Sequence, residues 1–208
     1  MAHRDPFLMP LDKKEQVDAV KRRFAGDAFS DHVAVLNAYD GWVQARRSGA
    51  EKDYVWRNFL SAQTLRLVSD MRGQFRDLLQ DIGLAPAPRF GGARGGDDDD
   101  VGCDDYAHDM AMLRAVICAG LYPNVVAIDQ TRKRPGFKTQ QDGKVELHPA
   151  SVNGGHPGYP FRWLVYNEKI KTTGIFIRDS TMVSDFGMLL FGGALEEGEE
   201  RGDLAMSG

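Results

Sequence analysis

Residues 163–183 read WLVYNEKIKTTGIFIRDSTMV, and this stretch decides the fold class of the second half of the chain. It holds two runs rich in β-branched and aromatic residues on either side of a short polar turn, a pattern that predicts two paired strands. Upstream, FKTQQDGKVEL at residues 137–147 surrounds Asp142-Gly143, a strong signal for a hairpin. Together with a further short strand before the hairpin, these patterns predict a small antiparallel β-barrel over residues 122–195, because closure leaves no exposed strand edge.

The first 121 residues instead show the spacing of amphipathic helices, with apolar side chains recurring every three or four positions. Ser30 and Ser61 precede two such stretches and are predicted N-caps, and Gly83 is predicted to end the longest helix. The fold class is therefore predicted to be α+β, a helical bundle followed by a barrel. The predicted inward-facing residues of the bundle are Val17, Val20, Phe24, Val33, Leu36, Tyr39, Val43, Leu65, Val68, Phe75, Leu78, Leu79, Ile82, Met110, Leu113, Ile117 and Leu121.

Two further segments have little to bury. Residues 85–104 combine proline, glycine and a run of four aspartates, and residues 196–208 are mostly acidic or small. Such composition is typical of disorder. The predicted organisation is a helical domain over residues 1–121 with a disordered insertion at 85–104, a barrel domain over residues 122–195, and a disordered acidic tail.

The composition of the 208-residue chain excludes several classes of protein. Two cysteines are too few for a disulfide-rich scaffold of this length. No run of about 20 apolar residues is present to span a bilayer, and the first residues lack the apolar core of an export signal. We therefore expect an intracellular protein, nuclear or cytoplasmic, with no membrane partner.

The chemistry-bearing residues do not assemble into a recognisable catalytic centre. The chain has no phosphate-binding G-x-x-x-x-G-K-[ST] loop and no G-x-S-x-G nucleophile elbow. Its five histidines and two cysteines fit no metal-ligand spacing, and Cys118 is predicted to be a small core residue. No catalytic residue, metal site or cofactor is therefore predicted for this chain.

The net charge of −4 conceals a basic second half, because residues 122–195 carry nine basic and six acidic side chains. Several bases fall on adjacent predicted strands and around the loop between the first two, where an oligonucleotide/oligosaccharide-binding (OB) barrel holds its ligand. The alternative is that they are ordinary solvated charges. The residues concerned are Lys169, Lys171 and Thr173 on one strand face, Arg178 on the neighbouring strand, and Arg132, Lys133, Arg134 and Lys138 around the loop.

Four aromatic residues of the barrel region, Tyr159, Phe161, Trp163 and Tyr166, have two possible roles. Exposed rings would supply stacking platforms for nucleobases. Buried rings would fill the interior of the barrel, which is the more frequent use of such residues.

Five blocks of the sequence carry a family resemblance. In order, they are SDHVAVLNAYDGW, WRNFLSAQTL, RAVICAGLYPNVV, VELHPASVN and WLVYNEKIKTTGIFIRDSTMVSDFGMLLFGG. They resemble the C-terminal region of DEAH/RHA-type (DExH-box) ATP-dependent RNA helicases, and most closely the branch of RNA helicase A and the G-quadruplex-resolving enzymes. The resemblance covers nearly everything from Pro6 to Gly193 except residues 91–104.

The resemblance implies a role for each predicted domain. The helical part would be the helicase-associated, ratchet-like domain and the barrel the OB-fold domain, which together line the RNA channel and support 3′-to-5′ unwinding. Motor domains of the parent enzyme would bind ATP and Mg²⁺. For two residues, Ser61 and Thr64, a purely capping and packing role is the alternative. Carried over by position, the candidate RNA contacts are Asn58, Ser61, Thr64 and Arg72 in and before the ratchet helix, and Lys169, Lys171, Thr172, Thr173 and Arg178 in the barrel.

The chain also departs from the family pattern. It lacks the phosphate loop and the DEAH box, so we expect it to be inactive as an ATPase by itself. The family's OB unit normally continues past the Phe191-Gly192-Gly193 block with a further strand and a helix. We therefore expect a truncated chain, and a barrel left open at its C-terminal end is the alternative to the closed barrel.

The expected partners follow from the same resemblance. They are single-stranded or structured RNA, including G-quadruplexes, the helicase motor domains in cis, and a G-patch-type protein. Two other hypotheses stay open at this point. One is a self-standing OB-fold module that binds RNA or docks a protein, and the other is a structural adaptor whose surface charges have no binding role.

Overall fold

A computed structural model describes residues 5–85, 106–131, 133–192, 195–197 and 204–206 of the chain. The helices are α1 (Lys14–Ala25), α2 (Asp31–Arg47), α3 (Glu51–Arg57), α4 (Ala62–Asp81), α5 (Met110–Leu121) and α6 (Asp185–Phe191), with a 3₁₀ turn at Gly26–Ala28. The strands are β1 (Val125–Asp129), β2 (Gly136–Thr139), β3 (Gly143–Leu147), β4 (Trp163–Lys171), β5 (Ile175–Val183), β6 (Leu195–Glu197) and β7 (Leu204–Met206). The short helix α3 has no counterpart in the sequence prediction.

The chain divides into two compact units. The first contains Met1–Val17 and Tyr39–Asp109, and the second contains Asp18–Ala38 and Met110–Gly208. This division differs from the predicted boundary after residue 121, because α5 and an early helical segment belong to the unit that holds the barrel. Contacts with the barrel, rather than continuity of the sequence, place these segments there.

The second unit is built on five strands that form a closed barrel in the order β1-β2-β3-β5-β4. A helical part followed by a small barrel is the α+β architecture that the sequence predicts, and this prediction is confirmed. The predicted closure is confirmed and the open alternative is not observed, because β4 pairs with β1 and closes the ring. The expectation of antiparallel pairing throughout is also wrong at one seam, where β3 and β5 run parallel. Parallel neighbours need a long crossover, and the segment that includes β4 supplies it.

The barrel interior is filled by side chains, and two of the four aromatic residues considered above are among them. Tyr159 and Tyr166 are buried in it, and Phe161 packs against it half-buried, so these rings fill the core and do not form stacking platforms. The buried members of this core are Val126, Ile128, Val145, Tyr159, Leu164, Tyr166, Ile177 and Met182.

A second apolar layer covers one outer side of the barrel. Cys118 of α5 and Met188 of α6 pack against Val165 and Val183, with Trp163 half-buried beside them. Trp163 also donates its indole N–H to a carboxylate oxygen of Asp185, at 2.8 Å. Cys118 is fully buried, as predicted, and its burial raises the pKa of the thiol.

A buried ion pair joins the start of α2 to the barrel within the second unit. Lys21 and Asp31 are almost completely buried, with Nζ and Oδ1 3.2 Å apart. Oδ1 also accepts the backbone N–H of Val152, at 2.9 Å. Oδ2 accepts the Ser151 hydroxyl at 2.5 Å and the backbone N–H of Ser180 at 2.9 Å. Because a buried carboxylate is stable only when its oxygens are satisfied, this network fixes where the helix meets the barrel.

The residue before this carboxylate is the N-cap of α2. Ser30 accepts the backbone N–H of Val33 at 3.0 Å, which confirms the predicted N-cap. Its hydroxyl also lies 2.6 Å from the hydroxyl of Thr181 on β5. The same start of helix α2 is therefore tied to the barrel by a second polar contact.

Tyr159 belongs to the same buried network of hydrogen bonds, which it joins through Asn153 and Ser180. Its hydroxyl donates to the backbone carbonyl of Asn153 at 2.6 Å, and the Asn153 amide group donates to the hydroxyl and the carbonyl of Ser180. Burial of the ring raises the pKa of Tyr159 to about 12. Because the folded pKa lies above the unfolded value near 10, the buried neutral ring contributes its full stability below the unfolded pKa, and this contribution is lost as the pH rises through the folded value.

The first unit packs around fully buried side chains that include Val17 of α1, Trp42 of α2 and Leu65 of α4. The periodicity that predicts α4 is correct, but part of its predicted inward face is uncovered. Phe75, Leu78 and Ile82 are 59%, 56% and 66% exposed. The pattern identifies an apolar face, and it does not report whether another element covers that face. The predicted inward residues that are exposed are Leu36, Phe75, Leu78, Leu79 and Ile82.

The structure describes different shares of the two segments that are predicted to be disordered. All but the first residue of the predicted insertion 85–104 lies outside the described residues. In the predicted disordered tail, the last two residues of β6 pair antiparallel with β7, with Glu196 opposite Ala205. The backbone of the tail therefore contains a short hairpin-like ladder.

We expect Asp31→Asn to lower the free energy of unfolding by about 3–5 kcal/mol, because it leaves Lys21 as an uncompensated buried charge. Urea unfolding followed by circular dichroism measures this loss. Asp53→Asn is the matched control, since it breaks an exposed pair with Arg57 whose N–O distance is 2.9 Å. We expect the control to cost at most about 0.5 kcal/mol. Equal effects of the two substitutions would contradict the role given to Asp31.

Candidate nucleic-acid interface

The outer face of the β2–β3 hairpin carries two lysines directly opposite each other. Phe137 pairs with Val145, and both side chains contribute to the barrel interior. The next pair, Lys138 and Lys144, therefore points outward, and both lysines are exposed. Like charges that face each other across two strands destabilise a sheet. Such a pair is favourable only when a negatively charged group lies against the two lysines.

The turn of the hairpin fixes the register that brings these lysines together. Thr139 pairs with Gly143, which leaves a three-residue loop, and Gly143 has a φ of +67°. Glycine adopts this left-handed conformation without strain, which suits the bulged form of a three-residue hairpin loop. Within the loop, the Thr139 hydroxyl accepts the backbone N–H of Asp142 and donates to its carboxylate, both at 3.1 Å.

The loop between β1 and β2 adds further positive charge beside the hairpin. Lys133 and Arg134 are exposed and stand immediately before Pro135 and strand β2. Arg132, which is also a candidate RNA contact predicted from the sequence, lies outside the described residues. Lys133, Arg134, Lys138 and Lys144 are called the basic hairpin surface below.

Lys169 differs from these residues because its charge is compensated. Its Nζ lies 2.6 Å from Oδ2 of Asp142. This hydrogen bond raises the pKa of Lys169 and lowers the pKa of the Asp142 carboxyl. A lysine that already holds a carboxylate is a weaker phosphate ligand, so the structure makes Lys169 a support for the hairpin turn.

The strand register separates the remaining barrel candidates into two faces. Lys169 lies opposite Ile177 and Lys171 opposite Ile175, so these two lysines share a face. Arg178 lies opposite Glu168 on the other face, with 3.7 Å between Nη1 and Oε2. The structure therefore does not bring Arg178 together with the two lysines.

Thr172 and Thr173 lie beyond the end of β4, in the loop to β5, and both are exposed. The backbone N–H of Thr172 donates to the carbonyl of Gly174 at 2.8 Å, which tightens this loop. The face of strands two and three and the loops after strands one and four are the ligand-binding parts of an OB-fold. The basic hairpin surface supplies the first two of these parts, and the two threonines supply the third.

Lys144 is not among the site residues predicted from the sequence, although its signal is present. Lys138 and Lys144 flank the predicted hairpin turn, and a correct register places them side by side. The dipeptide Asp142-Gly143 indicates a hairpin without deciding between a two-residue and a three-residue loop. A shift of one residue would have sent one of the lysines to the opposite face.

The candidates in the first unit have structural partners. Ser61 accepts the backbone N–H of Thr64 at 3.2 Å and its hydroxyl at 3.0 Å, which confirms the predicted N-cap of α4. Asn58 is buried, and its side-chain amide donates to the carbonyl of Tyr54 at 2.8 Å. The exposed Arg72 holds its guanidinium 5.7 Å from the ring centre of Tyr39.

Neither a metal-binding cluster nor a membrane-spanning helix occurs in the described part of the chain. It contains no group of three or more His, Cys, Asp and Glu residues placed to hold a metal ion. None of its helices combines the length and the apolar character that crossing a bilayer requires.

Residues 113–195 match a protein family described as oligonucleotide/oligosaccharide-binding (OB)-fold. This range contains most of α5, all five strands of the closed barrel and α6. The family match and the observed barrel therefore describe the same part of the chain.

Nearly the whole chain is similar to three helicases. It is 49% identical to the DExH-box ATP-dependent RNA helicase DExH1 and 43% identical to DExH3, both of Arabidopsis thaliana, over 94% and 99% of the chain. It is 39% identical to the human ATP-dependent DNA/RNA helicase DHX36 over 93% of the chain. The matches cover 19%, 16% and 19% of these proteins, so the chain spans less than a fifth of the relatives' length.

Ser61→Ala should lower the free energy of unfolding by about 1 kcal/mol, because the first turn of α4 loses its cap. Ser61→Asp should leave stability close to that of the unmodified chain, since aspartate caps helices as well as serine does. Urea unfolding of the two variants in parallel measures the difference. An unchanged stability of Ser61→Ala would contradict the capping role.

Proposed function

The chain belongs by sequence to the C-terminal OB-fold region of DExH-box RNA helicases, and from this premise we propose that it is an RNA-binding accessory region of such an enzyme. The proposal assigns the RNA contact to the basic hairpin surface and to the threonine loop after β4. The chain would bind the sugar-phosphate backbone of a single strand without reading its sequence.

The observation that carries this proposal is the outward pair of Lys138 and Lys144. Among the described residues, no carboxylate forms an ion pair with either lysine, whereas Lys169 and Arg178 both have acidic partners. A phosphate placed against the pair would relieve the repulsion between the lysines and release the counterions that the phosphate had held. The position of the pair on strands β2 and β3 agrees with the general binding face of OB-folds.

The finer parts of the proposal rest on the resemblance to helicases. The OB-fold region would line an RNA channel and support 3′-to-5′ unwinding, while motor domains in cis would bind ATP and Mg²⁺. A structured RNA such as a G-quadruplex and a G-patch-type protein are the further proposed partners. Asn58, Ser61, Thr64 and Arg72 stay candidates for the RNA path along the first unit, although each of them has the structural contact described above.

A self-standing OB-fold module is the alternative, and it would bind RNA through the same surface without a motor. A protein-docking module or a structural adaptor would instead show no salt-dependent affinity for RNA. The affinity for RNA and its salt dependence therefore separate the binding functions from the purely structural ones.

We expect Lys138→Gln/Lys144→Gln to weaken binding of a short fluorescein-labelled oligouridylate and to flatten its salt dependence. Loss of two phosphate contacts on a single strand should make the slope of log K against log salt shallower by about 1.4. Fluorescence anisotropy at several salt concentrations measures both quantities.

The control for this experiment is Arg22→Gln/Arg23→Gln, which removes the same charge from exposed positions of α1. We expect the control to change affinity little and to keep the slope. Equal losses in the two double variants would overturn the assignment of the binding face, because the effect would then follow total charge alone.

A further inference from the structure

The first unit contains an open cleft that the proposed barrel surface does not use. Its volume is about 710 Å³, within the range of small-ligand sites. One wall is formed by residues 8–16 and the other by residues 52–60. The floor is apolar, with Leu8, Val55 and Leu60 among the lining residues.

The wall that contains α3 is anchored at its start by one carboxylate. Glu51 accepts the indole N–H of the fully buried Trp42 at 3.1 Å and a guanidinium N–H of Arg66 at 2.9 Å. The hydrogen bond from Trp42 is the main reason why the pKa of Glu51 is lowered. The start of α3 is therefore anchored to α2 and to α4.

The end of α3 is anchored as well. Phe59 has a φ of +53°, a conformation that bulky residues rarely adopt, and it turns the chain back toward the N-terminal segment. The backbone N–H of Leu8 then donates to the carbonyl of Phe59 at 2.7 Å, and the N–H of Ser61 donates to the carbonyl of Pro6 at 2.9 Å. Both walls of the cleft are consequently preformed.

An exposed aromatic side chain lines this cleft. Trp56 lies in α3 and is 76% exposed, although tryptophan is normally among the better buried residues. Phe59 lies beside it, with Nζ of Lys13 5.8 Å from the centre of its ring. The cleft therefore combines an indole with a cation held close to a second aromatic ring.

All charged residues that line the cleft are basic. Its ten lining residues include Lys13, Lys52 and Arg57 and no aspartate or glutamate. Arg57 is compensated by Asp53 at 2.9 Å. Within the part of the chain that the structure describes, Lys13 and Lys52 form no ion pair, which leaves two positive charges at the cleft for a ligand.

We infer that this cleft is a binding site for one or two nucleotides of single-stranded nucleic acid, with a base stacked on Trp56 and phosphates against Lys13 and Lys52. A nucleotide places a flat apolar ring next to a phosphate, which matches an indole next to two uncompensated lysines. The choice of nucleic acid over an acidic peptide with aromatic side chains rests on the proposed function. The site itself is independent of the basic hairpin surface.

Tryptophan fluorescence of the full chain gives a direct test. Trp42 is fully buried and Trp163 is half-buried and hydrogen-bonded, so Trp56 is the tryptophan most open to acrylamide or to a stacked base. We expect oligoadenylate to quench this fluorescence and to protect Trp56 from acrylamide. An abasic strand of the same length should bind with a similar salt dependence but without this quenching.

Substitutions then separate stacking from charge. Trp56→Ala should weaken oligoadenylate binding by about tenfold, the effect expected when one base loses its aromatic platform, and Trp56→Phe should restore most of it. Neither variant should change binding of the abasic strand. Lys13→Gln/Lys52→Gln should weaken both strands. Circular dichroism of Trp56→Ala checks that the fold is retained, as the exposure of this side chain leads us to expect.

Two results would overturn the inference. The first is oligoadenylate affinity in Trp56→Ala equal to that of the unmodified chain, and the second is quenching of Trp56 by an acidic, phenylalanine-containing peptide but not by oligoadenylate. The same titration in Lys138→Gln/Lys144→Gln distinguishes a failure of the cleft inference from a failure of the proposed RNA contact on the barrel. Quenching retained in that variant supports the cleft whether or not the barrel surface binds RNA.

Discussion

The carboxylate of Asp31 is the contact on which the second unit depends. It lies at the start of α2 and is satisfied by Lys21, by the Ser151 hydroxyl and by two backbone N–H groups, one of them on β5. An unpaired charge at this depth would cost several kcal/mol, so the start of α2 can pack on the barrel only where Asp31 finds all of these partners. The early segment 18–38 belongs to the barrel unit for this reason, although residues 39–109 separate it in sequence from the rest of that unit.

The barrel held in this way supplies a rigid outer surface on its β2–β3 hairpin. Closure by the β1–β4 pair fixes the strands, and the glycine at the hairpin loop fixes the register that aligns Lys138 with Lys144. Lys169 supports the turn by holding Asp142. The result is a local surplus of positive charge on a chain whose net charge is −4, so an acidic protein can still present a positively charged face.

Local signals in the sequence predict the local structure well. The helical spacing, the caps at Ser30 and Ser61, the strands and the burial of Cys118 all agree with the structure. The features that were not predicted depend on pairs distant in sequence, such as the parallel β3–β5 seam and the ion pair of Lys169. The uncovered face of α4 shows the same limit, because periodicity describes one helix and not its neighbours. Helix α3 was not predicted, because its seven residues are too few to show a clear helical period.

The central claim is that the basic hairpin surface contacts RNA, and amide chemical-shift mapping tests it most directly. A titration of the isotope-labelled chain with a short single-stranded RNA reports each backbone N–H separately. We expect the largest barrel shifts between residues 133 and 147, with smaller ones in the loop after β4 at Thr172 and Thr173. Shifts concentrated around Arg178 instead, or no shift between residues 133 and 147 at saturating RNA, would contradict the account.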